Sequence, residues 1–204
     1  MSKINLDEID ATYYDILREL GNIGAGNATT ALSTMLNRKI DMSVPQVGLL
    51  PFANLTDMIG SEETLLVGIL LQIEGDIDGM IMFLMHEESA HHIVNALMGT
   101  QNEVVGAFNE MELSALHEIG NIITGAYLSS LAALTNMKIL ASVPSMSIDM
   151  AGALLSVPAI EFGKIGDKVL LIQTKFGEDD FMNGYFLLIP ELESYDKILS
   201  SLGM

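Results

Sequence analysis

The strongest constraint on this chain is that part of it is written twice. Glu19-Leu20-Gly21-Asn22-Ile23 returns 99 residues later as Glu118-Ile119-Gly120-Asn121-Ile122. The register then holds without a gap. Asn22 is separated by 22 residues from the proline of Ser43-Val44-Pro45, and Asn121 by 22 residues from that of Ser142-Val143-Pro144. A chain repeated in this way builds one unit twice, so a pseudo-two-fold axis is expected. The repeated glutamate, asparagine and proline are the first candidates for function.

The unit can be read from hydrophobic periodicity. Residues 7–36 form a long helix, with Asp7 or Asp10 as cap and Ile9, Tyr13, Ile16, Leu17, Leu20 and Ile23 as its apolar stripe. Asp15, Glu19 and Asn22 share a different face. Gly21, Gly24, Ala25 and Gly26 make this helix thin. Each glycine costs up to about 1 kcal/mol against alanine, so close approach of another backbone or of a partner must offset it. Residues 39–51 are extended, 54–63 read as a turn-rich connection, and 65–74 and 80–85 are strands around an acidic turn at 75–79. A helix over 87–98 ends at Gly99. The second half repeats this order. It has a helix over 110–134, an extended segment over 138–148 and an extra strand or edge over 154–162. Strands at 168–175 and 185–189 follow, around a turn containing Asn183-Gly184, and Pro190 opens a last helix. Copies with so few strands cannot each close a core. The expected fold is therefore α+β: a single pseudo-two-fold symmetric domain over 1–204, from two helix–(three-strand)–helix repeats (about 7–99 and 106–204). The repeats share one sheet and carry two long motif-bearing helices.

Composition narrows the function. Half of the 204 residues are hydrophobic and 18% are charged, which suits a sizeable core and not disorder. The net charge of −18 opposes binding to nucleic acid or to an anionic membrane surface, and it suits a basic protein partner. With no cysteine, disulfides, thiolate catalysis and cysteine-ligated metals are excluded. The N-terminus has no signal-peptide core and the longest apolar runs are too short for a bilayer, so a cytoplasmic protein without membrane insertion is expected.

A single Glu-x-x-Asn is an ordinary polar helix face; two with a shared downstream proline point to a site. Neither residue suits covalent catalysis here, and no histidine repeats beside them. An asparagine amide can hold a water by donor and acceptor bonds, and a carboxylate can pair with a partner's cation or receive a proton. Gly21 to Gly26 is not a phosphate loop, because a helix precedes it and no Gly-Lys-Ser/Thr follows. His86 and His91 are five apart, some 140° around a helix, so His86, His91 and His92 read as solvated surface histidines and not as a metal site. His117 has no counterpart, Arg18 standing in its place. The 14 methionines read as core filling.

Asp/Ser-x-x-x-Glu-x-x-Asn followed by the spaced proline stands complete twice, as Asp15, Glu19, Asn22 and Pro45, then Ser114, Glu118, Asn121 and Pro144. This resembles the CheC family of chemotaxis phosphatases, whose relatives include CheX, with one intact motif, and FliY. The resemblance covers essentially the whole chain. It implies dephosphorylation of the response regulator CheY, with Asn22 and Asn121 orienting the attacking water and Glu19 and Glu118 docking on the regulator. Asp15 and Ser114 would support the face, and Pro45 and Pro144 would shape the segment beside it. Gly21 and Gly120 would give clearance for the partner. The phosphate and its Mg2+ belong to the regulator, so the chain needs no cofactor of its own. The resemblance also implies CheD as a partner, with Asp149, which has no acidic twin at Leu50, as a candidate contact. The alternative is a non-catalytic module, an adaptor for CheD or a sink for phosphorylated CheY; a flagellar-switch component is a third reading.

Overall fold

The computed structural model describes residues 11–37, 39–101, 106–162, 168–176 and 182–203. Helix α1 (Ala11–Leu36) buries Leu17, Leu20, Ala28 and Leu32, the three-to-four-residue spacing that brings side chains onto one face. The cap positions Asp7 and Asp10 lie outside the described residues. Its twin α4 (Glu110–Thr135) starts from a capping box: the Asn109 side chain accepts from the N–H groups of Met111 and Glu112, and the Glu112 carboxylate accepts from the Asn109 N–H. Asn136 ends it in the left-handed conformation, φ 55°.

Between and after these helices run β1 (Met42–Pro51), α2 (Phe52–Ile59), β2 (Leu65–Gly75), β3 (Gly79–His86) and α3 (Glu87–Met98), then β4 (Ile139–Ala141), β5 (Ser145–Met150), α5 (Ala151–Phe162), β6 (Lys168–Phe176), β7 (Met182–Pro190) and α6 (Leu192–Ser201). All seven strands form one antiparallel sheet in the order β1-β6-β7-β3-β2-β4, with β5 also on β2. The expected shared sheet is therefore present, and its centre is symmetric. Met82 of β3 faces Leu187 of β7, and a two-fold through that pair exchanges Met80–Ile189 with Leu84–Tyr185.

The sheet is covered on both faces. Ile69, Ile81, Phe83, Ile172 and Phe186 point to one side and pack with α1, α3, α4 and α6. Strand residues of the opposite parity, Leu66, Met82, Leu84, Leu171 and Leu187, point to the other and pack with Leu55 and Ile59 of α2 and Leu154 and Leu155 of α5. The period-two alternation of strands divides these residues into the two layers.

That second layer corrects the sequence reading twice. Residues 54–63 are not all connection, because α2 occupies most of them. The expected edge strand over 154–162 is helix α5, which carries Pro158 inside it. The first N–H groups of α5 are satisfied from a distance, Ala151 N–H by the Thr64 carbonyl (2.8 Å) and Gly152 N–H by that of Glu62 (3.0 Å). No local cap announces such a helix. Two smaller corrections follow. Asn183 and Gly184 are paired within β7, facing Lys175 and Thr174, and the turn before them lies outside the described residues. Pro190 closes β7, and α6 begins two residues later. No helix among the described residues is long and apolar enough to cross a membrane.

Candidate active site

The two motif helices present their repeated polar residues to solvent. Asp15, Glu19 and Asn22 are exposed on α1, and Ser114, Glu118 and Asn121 are exposed on α4. The residues between them turn inward: Leu17, Leu20 and Gly21 in the first copy, Leu116, Ile119 and Gly120 in the second, all buried. Glutamate and asparagine three apart stand one above the other. Each pair is thus a polar patch backed directly by core.

The motif glycines belong to that backing. A Cβ on Gly21 would lie 3.1 Å from Val44 Cγ1 and 3.2 Å from Ile172 Cγ2, and one on Gly120 would overlap Ile69 Cδ1. The clearance they provide is therefore toward the sheet, not toward a partner as expected from the resemblance. The helix lies close to the sheet at the turn that carries the asparagine.

This packing also separates the two sites. Gly21 rests on β1 and β6, while Gly120 rests on β2. From β6 to β2 the sheet order is β6-β7-β3-β2, three strand spacings or roughly 14 Å. Each site lies toward its own edge of the sheet, and each motif glycine touches a strand of the other half of the chain.

The repeated prolines mark those two edges. Pro45 lies where the β1–β6 register shifts between Ser43 and Gln46. Pro144 lies in the break between β4 and β5, both of which pair with β2. Proline cannot donate to a ladder and is tolerated at edges and bulges. At the second break Ser142 holds the strand, its N–H donating to the Gln72 carbonyl (2.9 Å) and its hydroxyl accepting from the Gln72 N–H (3.0 Å). Val44 and Val47 of the β1 segment lie under Gly21, and Ile69 under Gly120 pairs with Met146, two residues beyond Pro144. The structure thus brings each Glu-x-x-Asn pair and its proline segment to one place.

The copies differ in detail. Arg18 pairs with Asp15 (3.3 Å), an exposed contact of little energetic weight; the second face has Ser114 and His117 at these positions. Val44 is half-buried, but its twin Val143 is 88% exposed. Sequence gave no sign of this, since Ser-Val-Pro is identical in both. Asp149 is exposed on β5, between Ile148 (37% exposed) and Met150 (46% exposed).

The histidines divide. His91 is buried, not solvated: its Nε2 lies 3.0 Å from the Gly106 carbonyl oxygen and its ring stacks on Phe108 at 3.9 Å. It ties α3 to the segment between the halves. His86 ends β3 and is half-buried, and that burial lowers its pKa against a smaller opposing effect of Glu88. Only His92 fits the surface reading, near Glu88 at 3.8 Å. Among the described residues no group of three or more histidine or acidic side chains is set to hold a metal.

A family model described as CheC-like matches residues 14–49 and 111–148, the two motif helices with the segments that follow them. The chain is 37% identical over 194 residues to the CheY-P phosphatase CheC of Bacillus subtilis (strain 168), covering 93% of each chain. Among solved structures, Thermotoga maritima FliY superposes with a TM-score of 0.75 at 22% identity, over 96% of this chain and 98% of that one. A chain of the CheX-CheY-BeF3-Mg+2 complex from Borrelia burgdorferi superposes with a TM-score of 0.52 at 19% identity, over 86% and 98%. At these identities the two structures bear on the fold alone.

Proposed function

The chain belongs to the CheC-like family, and from that premise we propose that it accelerates hydrolysis of the aspartyl phosphate on the chemotaxis response regulator CheY. The observation that carries this reading is the pair of solvent-exposed Glu-x-x-Asn faces, each fastened to the sheet by a buried glycine one residue before the asparagine. Such a face can enter another protein's pocket as a rigid body.

Its chemistry follows from what the side chains can do. Water attacks phosphorus in line, the bond from phosphorus to the regulator's aspartyl oxygen breaks, and inorganic phosphate and a free carboxylate result. Asn22 or Asn121 holds the water by its amide, the positioning share of phosphoryl-transfer catalysis. Glu19 or Glu118 docks on a cation of the regulator. The acyl phosphate supplies the leaving group, and the Mg2+ is the regulator's, so the chain needs neither nucleophile nor cofactor of its own. Asp15 and Ser114 flank the faces, and the Pro45 and Pro144 segments bound them. The cytoplasm, where such a regulator works, is the matching location. We take residues 1–204 as one domain with repeats of about 7–99 and 106–204.

The test is inorganic phosphate release from CheY charged by a small-molecule phosphodonor. Asn22→Ala and Asn121→Ala are each expected to keep part of the activity, and the double variant to fall to the rate of CheY alone. A double variant as active as the parent overturns the mechanism. Binding of phosphorylated CheY without faster hydrolysis would favour the adaptor reading instead.

CheD is proposed as a second partner, at the β5–α5 face. Asp149 is exposed there beside apolar Ile148 and Met150, and Val157 and Ile160 of α5 are 44% and 74% exposed. Loss of CheD binding in Asp149→Lys, with phosphate release unchanged, is the expected outcome.

A further inference from the structure

The seam between α1 and α4 holds a buried tyrosine that the proposed chemistry does not use. Tyr127 of α4 is 1% exposed. Its ring lies against Gly24 of α1, where a Cβ would be 2.5, 2.7 and 2.9 Å from three ring atoms. The ring also stacks on Phe186 of the central strand β7, with centroids 4.2 Å apart and planes 22° from parallel. The ring is therefore held against the sheet and faces α1 directly.

The hydroxyl does not account for the residue. Among the described residues it is buried without a hydrogen-bond partner, a condition that costs about 1–3 kcal/mol. Burial raises its pKa, so it stays neutral. A phenylalanine would fill the same space without that cost, which leaves the ring's volume as the feature in use.

That volume acts two residues from Asn22. Under the 99-residue repeat, Gly24 corresponds to Ile123 and Tyr127 to Ala28, both fully buried in the same cluster. At both pairs of positions α4 supplies the bulky residue and α1 the small one. One turn further along, the Asn27 side-chain amide donates to the Ser130 hydroxyl (3.1 Å). Beside Val44 and Ile172 beneath Gly21, the place of α1 at its motif is thus set by Tyr127 at Gly24. The place of α4 at its own motif is set by Ile69 beneath Gly120.

We propose that Tyr127 is the positioning residue for the first site: its ring fixes the displacement of α1 at Gly24 and hence where Asn22 presents its amide. It has no such role at Asn121. This rests on the phosphatase reading, and it makes the two sites unequal in what supports them. A displacement near 1 Å can cost on the order of a hundredfold in rate, so a seam change too small to unfold the chain is large enough to be read in turnover.

The experiment uses the full chain in two single-site backgrounds, Asn121→Ala reporting the first site and Asn22→Ala the second, with phosphate release from CheY. In the first background Gly24→Ala is expected to lower kcat by about tenfold or more with KM within about twofold. In the second background the same change is expected to leave kcat within about twofold. Tyr127→Leu should also lower first-site kcat, Tyr127→Phe should retain it, and Gly24→Ala with Tyr127→Leu should recover part of the loss. Equal losses at both sites, or an unchanged first site, overturn the proposal. Should Gly24→Ala fail to fold by circular dichroism, Tyr127→Leu in the two backgrounds decides in the same way. Absence of release above CheY alone in both parent backgrounds is a different failure; it overturns the phosphatase reading and this inference with it.

Discussion

Replacing Gly120 by alanine separates two accounts of the motif glycines. The new methyl would overlap Ile69 Cδ1 and lie 3.2 Å from both Ile69 Cγ atoms. Ile69 is fully buried, so it cannot turn away into solvent. Overpacking of this kind costs about 1–3 kcal/mol, against a gain of up to about 1 kcal/mol from replacing a helical glycine. Gly120→Ala alone is then expected to destabilise by about 0–2 kcal/mol. Ile69→Val deletes the clashing Cδ1 and by itself costs about 0.5–1.5 kcal/mol. In the double variant the alanine methyl occupies the vacated space. Neither penalty then applies in full and the helix-propensity gain remains, so the double variant is expected within about 1 kcal/mol of the parent, a coupling of about 1–3 kcal/mol. Urea unfolding of the four proteins measures this, provided the m-value is constant. Additive effects would refute the packing argument. So would a loss of phosphate release in Gly120→Ala that Ile69→Val does not restore, because that is what clearance for a partner requires.

Four further outcomes are expected. Asn109→Ala removes the capping box of α4 and should cost about 0.5–2 kcal/mol in urea unfolding, with single-site activities retained per folded molecule. Burial lowers the pKa of His86, so the unfolded chain binds that proton more readily. Its stability contribution is fully present above 6.5 and declines as pH falls below that value, and His86→Asn should flatten this part of a pH–stability curve. Burial raises the pKa of Tyr127 and Tyr185, so stability should fall as pH rises past 10, less steeply in Tyr127→Phe. Arg18→Ala removes an exposed ion pair and should shift stability by no more than about 0.5 kcal/mol, with a smaller shift at high salt.

The parts legible in sequence share a physical cause. Helices α1, α3 and α4 bury one face at helical spacing, so their apolar residues recur with that period. Strands β2, β3, β6 and β7 stand out as short apolar runs between turns. The polar face of α1 and α4 is legible for the same reason, since Asp15, Glu19 and Asn22 share a side that the apolar stripe leaves free. Helices α2 and α5 were not legible: α2 is short, and α5 carries Pro158 inside it and takes its first hydrogen bonds from Glu62 and Thr64 and not from a local cap. A signal was nevertheless available. β3 is apolar at every position from Met80 to Met85, and a strand buried on both faces needs a layer on each side.

The sequence alone determined that one unit occurs twice, that each copy carries Glu-x-x-Asn on a helix with a proline at fixed spacing, and which family this resembles. These are local and periodic properties, written in the order of the residues. The tertiary structure decided what no spacing contains: that Gly21 and Gly120 face inward onto the sheet, that Val44 is half-buried where Val143 is bare, and that His91 is buried. It also decided that the two sites lie toward opposite edges, each supported by a strand from the other half. Such facts depend on which distant residue arrives at a given place, and identical neighbours in sequence meet different ones in space.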